Sequence, residues 1–112
     1  MTTYDIECIE NARKIIDADI SRHFTIEYLA GKAGVGKTKL KKLFKEYFGS
    51  GLFTYLQKQR MIKAAELIVE TNKTIKEIAK ATGYRYSTNF SSAFTSYHGL
   101  APVKYRAYFS SA

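Results

Sequence analysis

Apolar residues recur along this chain at three- and four-residue intervals, with almost no strict alternation, so the pattern reads as helix throughout. A first helix is expected from about Tyr4 to Ala18, with Ile6, Ile9, Ala12, Ile16 and Ile20 near one face. Thr25 stands before IEYLAGKAG and Thr74 before IKEIAKATG. Each can accept a first-turn amide hydrogen, and Thr74 with Glu77 has the spacing of a capping box. Residues 52–70, LFTYLQKQRMIKAAELIVE, hold neither Gly nor Pro and read as one long helix that stops before the polar TNK. The single proline, Pro102, and the clustered glycines punctuate these segments.

The pattern also repeats. Residues 25–34, TIEYLAGKAG, align with residues 74–83, TIKEIAKATG, at an offset of 49. After one extra residue, Leu40, Leu43, Phe44 and Gly49 align with Phe90, Ala93, Phe94 and Gly99. Both copies read as cap, short helix, Gly-bearing turn, second helix and Gly stop, which is the pattern of a helix-turn-helix. One such match is weak evidence, but two in register within one short chain are strong. The expected class is therefore all-α, with two helix-turn-helix sub-domains joined by a long linker helix. The expected division is 1–50 for an N-terminal helix and the first unit, 51–72 for the linker, and 73–112 for the second unit and a C-terminal helix.

At 100° per residue, Leu40, Leu43, Phe44 and Tyr47 face the core of the first unit. Thr38, Lys41, Lys42 and Lys45 then point outward, with Lys39 at one edge and Lys37 at the start. In the second unit Phe90, Ala93, Phe94 and Tyr97 face inward. Thr88, Ser91, Ser92 and Thr95 face out, with Asn89 at the edge and Ser87 at the start. The first outward face offers ammonium groups suited to phosphates and to the acceptors of guanine; the second offers hydroxyls and an amide. A 19-residue connecting helix spans roughly 28 Å. Successive major-groove faces on one side of DNA lie about 34 Å apart, so one monomer is expected to reach two of them without a palindrome.

Composition sharpens this picture. The formal charge of the 112 residues is +8, unevenly placed. Residues 1–30 hold six acids (Asp5, Glu7, Glu10, Asp17, Asp19, Glu27) against three bases, and those of residues 5–19 read as a solvated helix face. Residues 31–63 hold nine bases against Glu46 alone, which points to a polyanion: nucleic acid or, more weakly, an anionic membrane surface. Nine Tyr and seven Phe supply enough bulk for a packed core and argue against disorder. The sequence shows no apolar run of membrane-spanning length and no signal-peptide pattern, and the lone Cys8 suits a reducing compartment. His23, His98 and Cys8 have no metal-ligand spacing, so neither catalysis nor a metal or other cofactor is expected. Arg60 and Arg106 read as phosphate contacts or as structural salt bridges. Tyr84, Tyr86, Tyr105 and Tyr108 read as packing residues with a polar tip.

One motif points elsewhere. Residues 31–38, GKAGVGKT, satisfy the phosphate-loop pattern G-x-x-x-x-G-K-[ST]. A working phosphate loop needs a buried strand before it, and TIEYLA has a helical cap and helical spacing. Its repeat partner TIKEIAKATG lacks the motif, so the match reads as chance. A non-specific polyanion-binding bundle accounts for charge and helices but not for the duplicated turn.

The chain resembles the DNA-binding domain of the AraC/XylS family of bacterial regulators. The likeness rests on LAGKAG, LKKLFKEYFG, YLQKQRMIKAAELI, TIKEIAKATGY, NFSSAFTSYHG and APVKYR, from about Thr25 to Arg106. The resemblance implies a homeodomain-like fold of about seven helices, the third and sixth entering successive major grooves of double-stranded DNA. It implies a sequence-specific, cytoplasmic, nucleoid-associated regulator, usually an activator that touches RNA polymerase, with no membrane partner. Carried onto this chain, the base-facing positions are Thr38, Lys41 and Lys42 in the first unit, and Ser87, Thr88, Ser91 and Ser92 in the second. Many members place Arg or Gln where this chain has Ser92, which lowers the base discrimination expected of the second unit. Members often carry a separate sensing domain, and such an effector domain is expected to lie outside this chain.

Overall fold

The computed structural model describes residues 1–110, which form seven helices and no strand. In chain order they are α1 Thr3–Ala18, α2 Ile26–Ala33, α3 Lys37–Phe48, α4 Leu52–Glu70, α5 Ile75–Ala81, α6 Ser87–His98 and α7 Pro102–Phe109. The chain divides into two compact units, one from Met1 to Gln57 and the other starting at Lys58, so α4 contributes residues to both.

In the first unit, α1 opens with a capping box. The Asp5 amide donates to Thr2 Oγ1 at 3.0 Å, and the Thr2 amide donates to Asp5 Oδ2 at 3.1 Å. Ile9, Ala12 and Ile16 of α1 are fully buried against Leu29 of α2, Leu40 and Phe44 of α3 and Leu52 and Leu56 of α4. Ile20 lies beyond the end of α1 but still packs on this core. Thr25 caps α2 by accepting from the Tyr28 amide, as its position suggested. Gly34 then reverses the chain at φ +78°, a conformation that side chains with a Cβ rarely adopt.

The second unit repeats this build. Thr74 and Glu77 form the expected capping box on α5. Gly83 takes the place of Gly34 with φ +94°, and Phe90 and Phe94 of α6 are fully buried with Met61, Ala64 and Ile68 of α4 and Ile78 of α5. α3 and α6 have 12 residues each and start 50 positions apart. The repeat runs further than the sequence reading took it. Phe44 meets Tyr55 edge-on at 5.7 Å, and 50 residues later Phe94 meets Tyr105 edge-on at 5.2 Å. The first residues of α4 thus play in one unit the part that α7 plays in the other.

Several sequence expectations change here. Tyr47 and Tyr97 are 44% and 46% exposed rather than in the core. They stand at the last turn of their helices, and the inward seat goes to the next residue. Phe48 packs at 4.5 Å on Phe44, and His98 at 4.4 Å on Phe94. Tyr86 and Tyr108 are 56% and 80% exposed, so only Tyr84 and Tyr105 of that group are packing residues. Residues 31–38 are divided between the end of α2, a turn and the start of α3, and no strand precedes them among the described residues. The phosphate-loop pattern therefore has no phosphate-loop structure.

Candidate nucleic-acid interface

α3 presents Lys37, Thr38, Lys39, Lys41, Lys42 and Lys45 to solvent, while Leu40, Leu43 and Phe44 hold its opposite face in the core. Not all of these ammonium groups are equally free. Lys39 Nζ lies 3.0 Å from Asp5 Oδ1, and Lys37 Nζ lies 3.8 Å from Glu27 Oε1. Asp5 belongs to the acids read as a solvated face, yet it is buried. Its carboxylate turns back onto its own helix start. The Thr2 amide, and then the Lys39 ammonium, hold it below the usual carboxylate range. Lys39 is thus tied to α1, whereas Lys41, Lys42 and Lys45 form no ion pair among the described residues. Lys41 and Lys45 also flank a hollow of about 300 Å³ lined by Gly51, Leu52, Phe53 and Thr54 at the start of α4.

α6 presents a different surface on the same frame. Thr88, Asn89, Ser92 and Thr95 are exposed, Ser87 and Ser91 half-buried, and the helix holds no Lys, Arg, Asp or Glu. Thr95 Oγ1 donates to the Ser91 carbonyl at 2.7 Å, so that hydroxyl is partly spent on its own helix. All eleven sequence-nominated residues lie on the two second helices, six on α3 and five on α6. Sequence reasoning missed Arg85 and Tyr86, both exposed immediately before α6, where Tyr86 occupies the N-cap. The signal was available in the repeat. Val35 and Tyr84 correspond, each with its amide on the carbonyl of the residue five before it, so Arg85 is the extra residue of the second turn and Tyr86 takes the N-cap that Gly36 fills in the first.

Other nominated groups are structural. Arg106 Nε donates to the Ile68 carbonyl at 3.0 Å, fastening α7 to the end of α4. Arg60 is buried, with its guanidinium 5.9 Å over the Tyr84 ring and against Gly83, and burial lowers its pKa. Nε2 of His98 is 2.9 Å from the Met61 carbonyl within the aromatic cluster. Among the described residues no three His, Cys, Asp or Glu side chains gather as a metal site, and no helix is long and apolar enough to cross a membrane.

A duplicated helix-turn-helix with a lysine-studded second helix defines the class as a helix-turn-helix nucleic-acid-binding domain. A family model described as a helix-turn-helix domain matches residues 29–108. The lactose operon transcription activator of Staphylococcus xylosus is 32% identical over 104 residues, which cover 93% of this chain and 37% of that protein. A putative AraC-like transcription regulator of Streptomyces lividans is 33% identical over 98 residues, covering 88% of this chain and 32% of its own length. The C-terminal domain of AraT, a response regulator from Geobacillus stearothermophilus, superposes with a TM-score of 0.89 at 33% identity, over 94% of this chain and 88% of that one. The chain belongs to the AraC-type helix-turn-helix family of DNA-binding transcription regulators. It spans about a third of the length of these curated relatives.

Proposed function

We propose that this chain binds double-stranded DNA with α3 and α6 in the major groove, α3 supplying most of the affinity and α6 adjusting position. The observation that carries the reading is the contrast between two matching helices. α3 offers Lys41, Lys42 and Lys45, exposed and in no ion pair among the described residues, while α6 offers only hydroxyls and an amide. Ammonium groups release condensed counterions when they meet phosphates, and hydroxyls do not. Thr38, Lys41 and Lys42 face bases in the first unit; Ser87, Thr88, Ser91 and Ser92 do so in the second, with Asn89 at the edge. Lys39 and Lys37 contribute less, since Asp5 and Glu27 already face them. Residues 51–72 connect the two readers. Lysine contacts are less demanding in geometry than bidentate arginine, so base preference in the first unit is modest.

The protein acts as a regulator of transcription at the bacterial nucleoid, in the sense of activation, with RNA polymerase as a second partner. The relative named as a lactose operon activator supports that sign. The test is selection of bound sequences from random duplexes, followed by affinity against salt for the winner and a scrambled control. A non-palindromic site with two short boxes, tighter than the control and strongly salt-dependent, is the expected outcome. Salt-dependent binding without sequence preference would leave a general polyanion binder. No binding at low salt would remove the reading altogether.

A further inference from the structure

We infer that Arg85 and Tyr86 form a stacked phosphate anchor for the second unit, holding the DNA backbone beside the start of α6; the inference rests on the DNA-binding reading above. α6 itself carries no Lys or Arg, and Arg85 is the one Lys or Arg between Lys80 and Lys104. A hydroxyl-bearing helix without a cation has little to hold it against a polyanion, so the unit needs its anchor beside the helix rather than on it. Arg85 is exposed, and its guanidinium carbon sits 5.4 Å from the centroid of the Tyr86 ring. Tyr86 is 56% exposed and does not belong to the core that holds Tyr84 and Tyr105.

A large aromatic ring left in water, with a guanidinium lying on it, has no packing role to explain it. Stacking restrains the long Arg side chain and leaves its planar fork of donors open, ready for two oxygens of one phosphate. The Tyr86 hydroxyl adds a donor next to it. Comparison within the molecule supports the assignment. The first unit, whose reading helix is rich in lysine, has no counterpart of Arg85 and only Gly36 at the N-cap where Tyr86 stands, so no side-chain donor there. The Lys or Arg nearest the outward face thus lies on the second helix in the first unit and just before it in the second. A phosphate held by Arg85 would fix how deeply Ser87, Thr88 and Ser91 enter the groove.

The experiment uses the full chain with Arg85→Ala, Arg85→Lys and Tyr86→Ala. Affinity is measured over a salt series on the selected duplex and on a scrambled one, with thermal melting as the folding control. Arg85→Ala should weaken both duplexes by the same factor, on the order of tenfold, and reduce the salt slope by about one. Arg85→Lys should restore the slope but only part of the affinity, since an ammonium stacks less well and cannot bind in bidentate fashion. Tyr86→Ala should cost a smaller factor with the slope unchanged. If Arg85→Ala leaves affinity and slope as they were, or loses discrimination at one base pair only, the anchor is overturned. Failure of the unaltered chain to bind either duplex would overturn the anchor together with the reading beneath it.

Discussion

Phe44 and Phe94 occupy the same place in two copies of one design, each meeting a tyrosine 11 residues on, yet the faces behind them differ in kind. The first unit turns lysines outward and the second turns out serines and threonines. The cores match because a short helix, a tight turn and a second helix bury the same stripe whatever the outer face carries. The outer faces are free to diverge because packing does not constrain them. Duplication therefore repeats the scaffold and leaves the outward chemistry of each second helix to vary, here between ammonium groups and hydroxyls.

Removing the shared core element should hurt both units most. Phe44→Ala and Phe94→Ala should each lower stability by about 3–5 kcal/mol, read as a shift in urea unfolding. A large loss in one and little in the other would break the equivalence of the two cores. The turns come next. Gly34 and Gly83 both have left-handed backbone, which costs about 1–2 kcal/mol for a residue with a Cβ. Gly83→Ala should cost more than Gly34→Ala. Its Cβ would lie 2.8 Å from a buried Arg60 nitrogen, against 3.2 Å from the exposed Tyr4 hydroxyl. Equal losses would show that Arg60 gives way freely.

The helix starts sharpen the comparison further. Thr25→Ala and Thr74→Ala should each cost about 1 kcal/mol, since each removes one hydroxyl acceptor, while the Thr74 amide keeps its bond to Glu77 in the alanine variant. Similar falls in melting temperature are expected, and a much larger fall in one variant would break the equivalence of the two caps. The smallest effect is expected in acid. Backbone hydrogen bonds first, at Thr2 and at Thr74, hold the carboxyls of Asp5 and Glu77 below their usual range. Groups so shifted stabilise the fold fully above their unfolded pKa of about 4, and that contribution disappears as pH falls through the lower folded value. Asp5→Asn and Glu77→Gln should each make the decline of melting temperature in acid shallower; a curve parallel to that of the unaltered chain would remove the linkage.

What the sequence showed was local. Thr25 and Thr74 as caps, α4 from residue 52 to 70, and the glycine stops at residues 49 and 99 all follow from neighbours three or four positions away. The exposure of most of the nominated residues of α3 and α6 was legible for the same reason, since a helical wheel separates buried from exposed positions, although Ser87 and Ser91 are half-buried. Long-range partners were not legible. Nothing near Asp5 says that Lys39, 34 residues on, meets its carboxylate, and a wheel cannot tell that Tyr47 yields its inward place to Phe48. The extension of the repeat to Tyr55 and Tyr105 was hidden because the flanking LFTYL and PVKYR share little but the tyrosine. Tyr86 was misread because tyrosines usually pack, and only its exposure corrects that.

The most direct test of the division of labour compares Lys42→Ala with Ser92→Ala on the selected duplex, as affinity against salt. The account predicts that Lys42→Ala weakens binding several-fold more and lowers the salt slope by about one, while Ser92→Ala leaves the slope unchanged. Equal weakening by the two substitutions, with equal salt slopes, would contradict it.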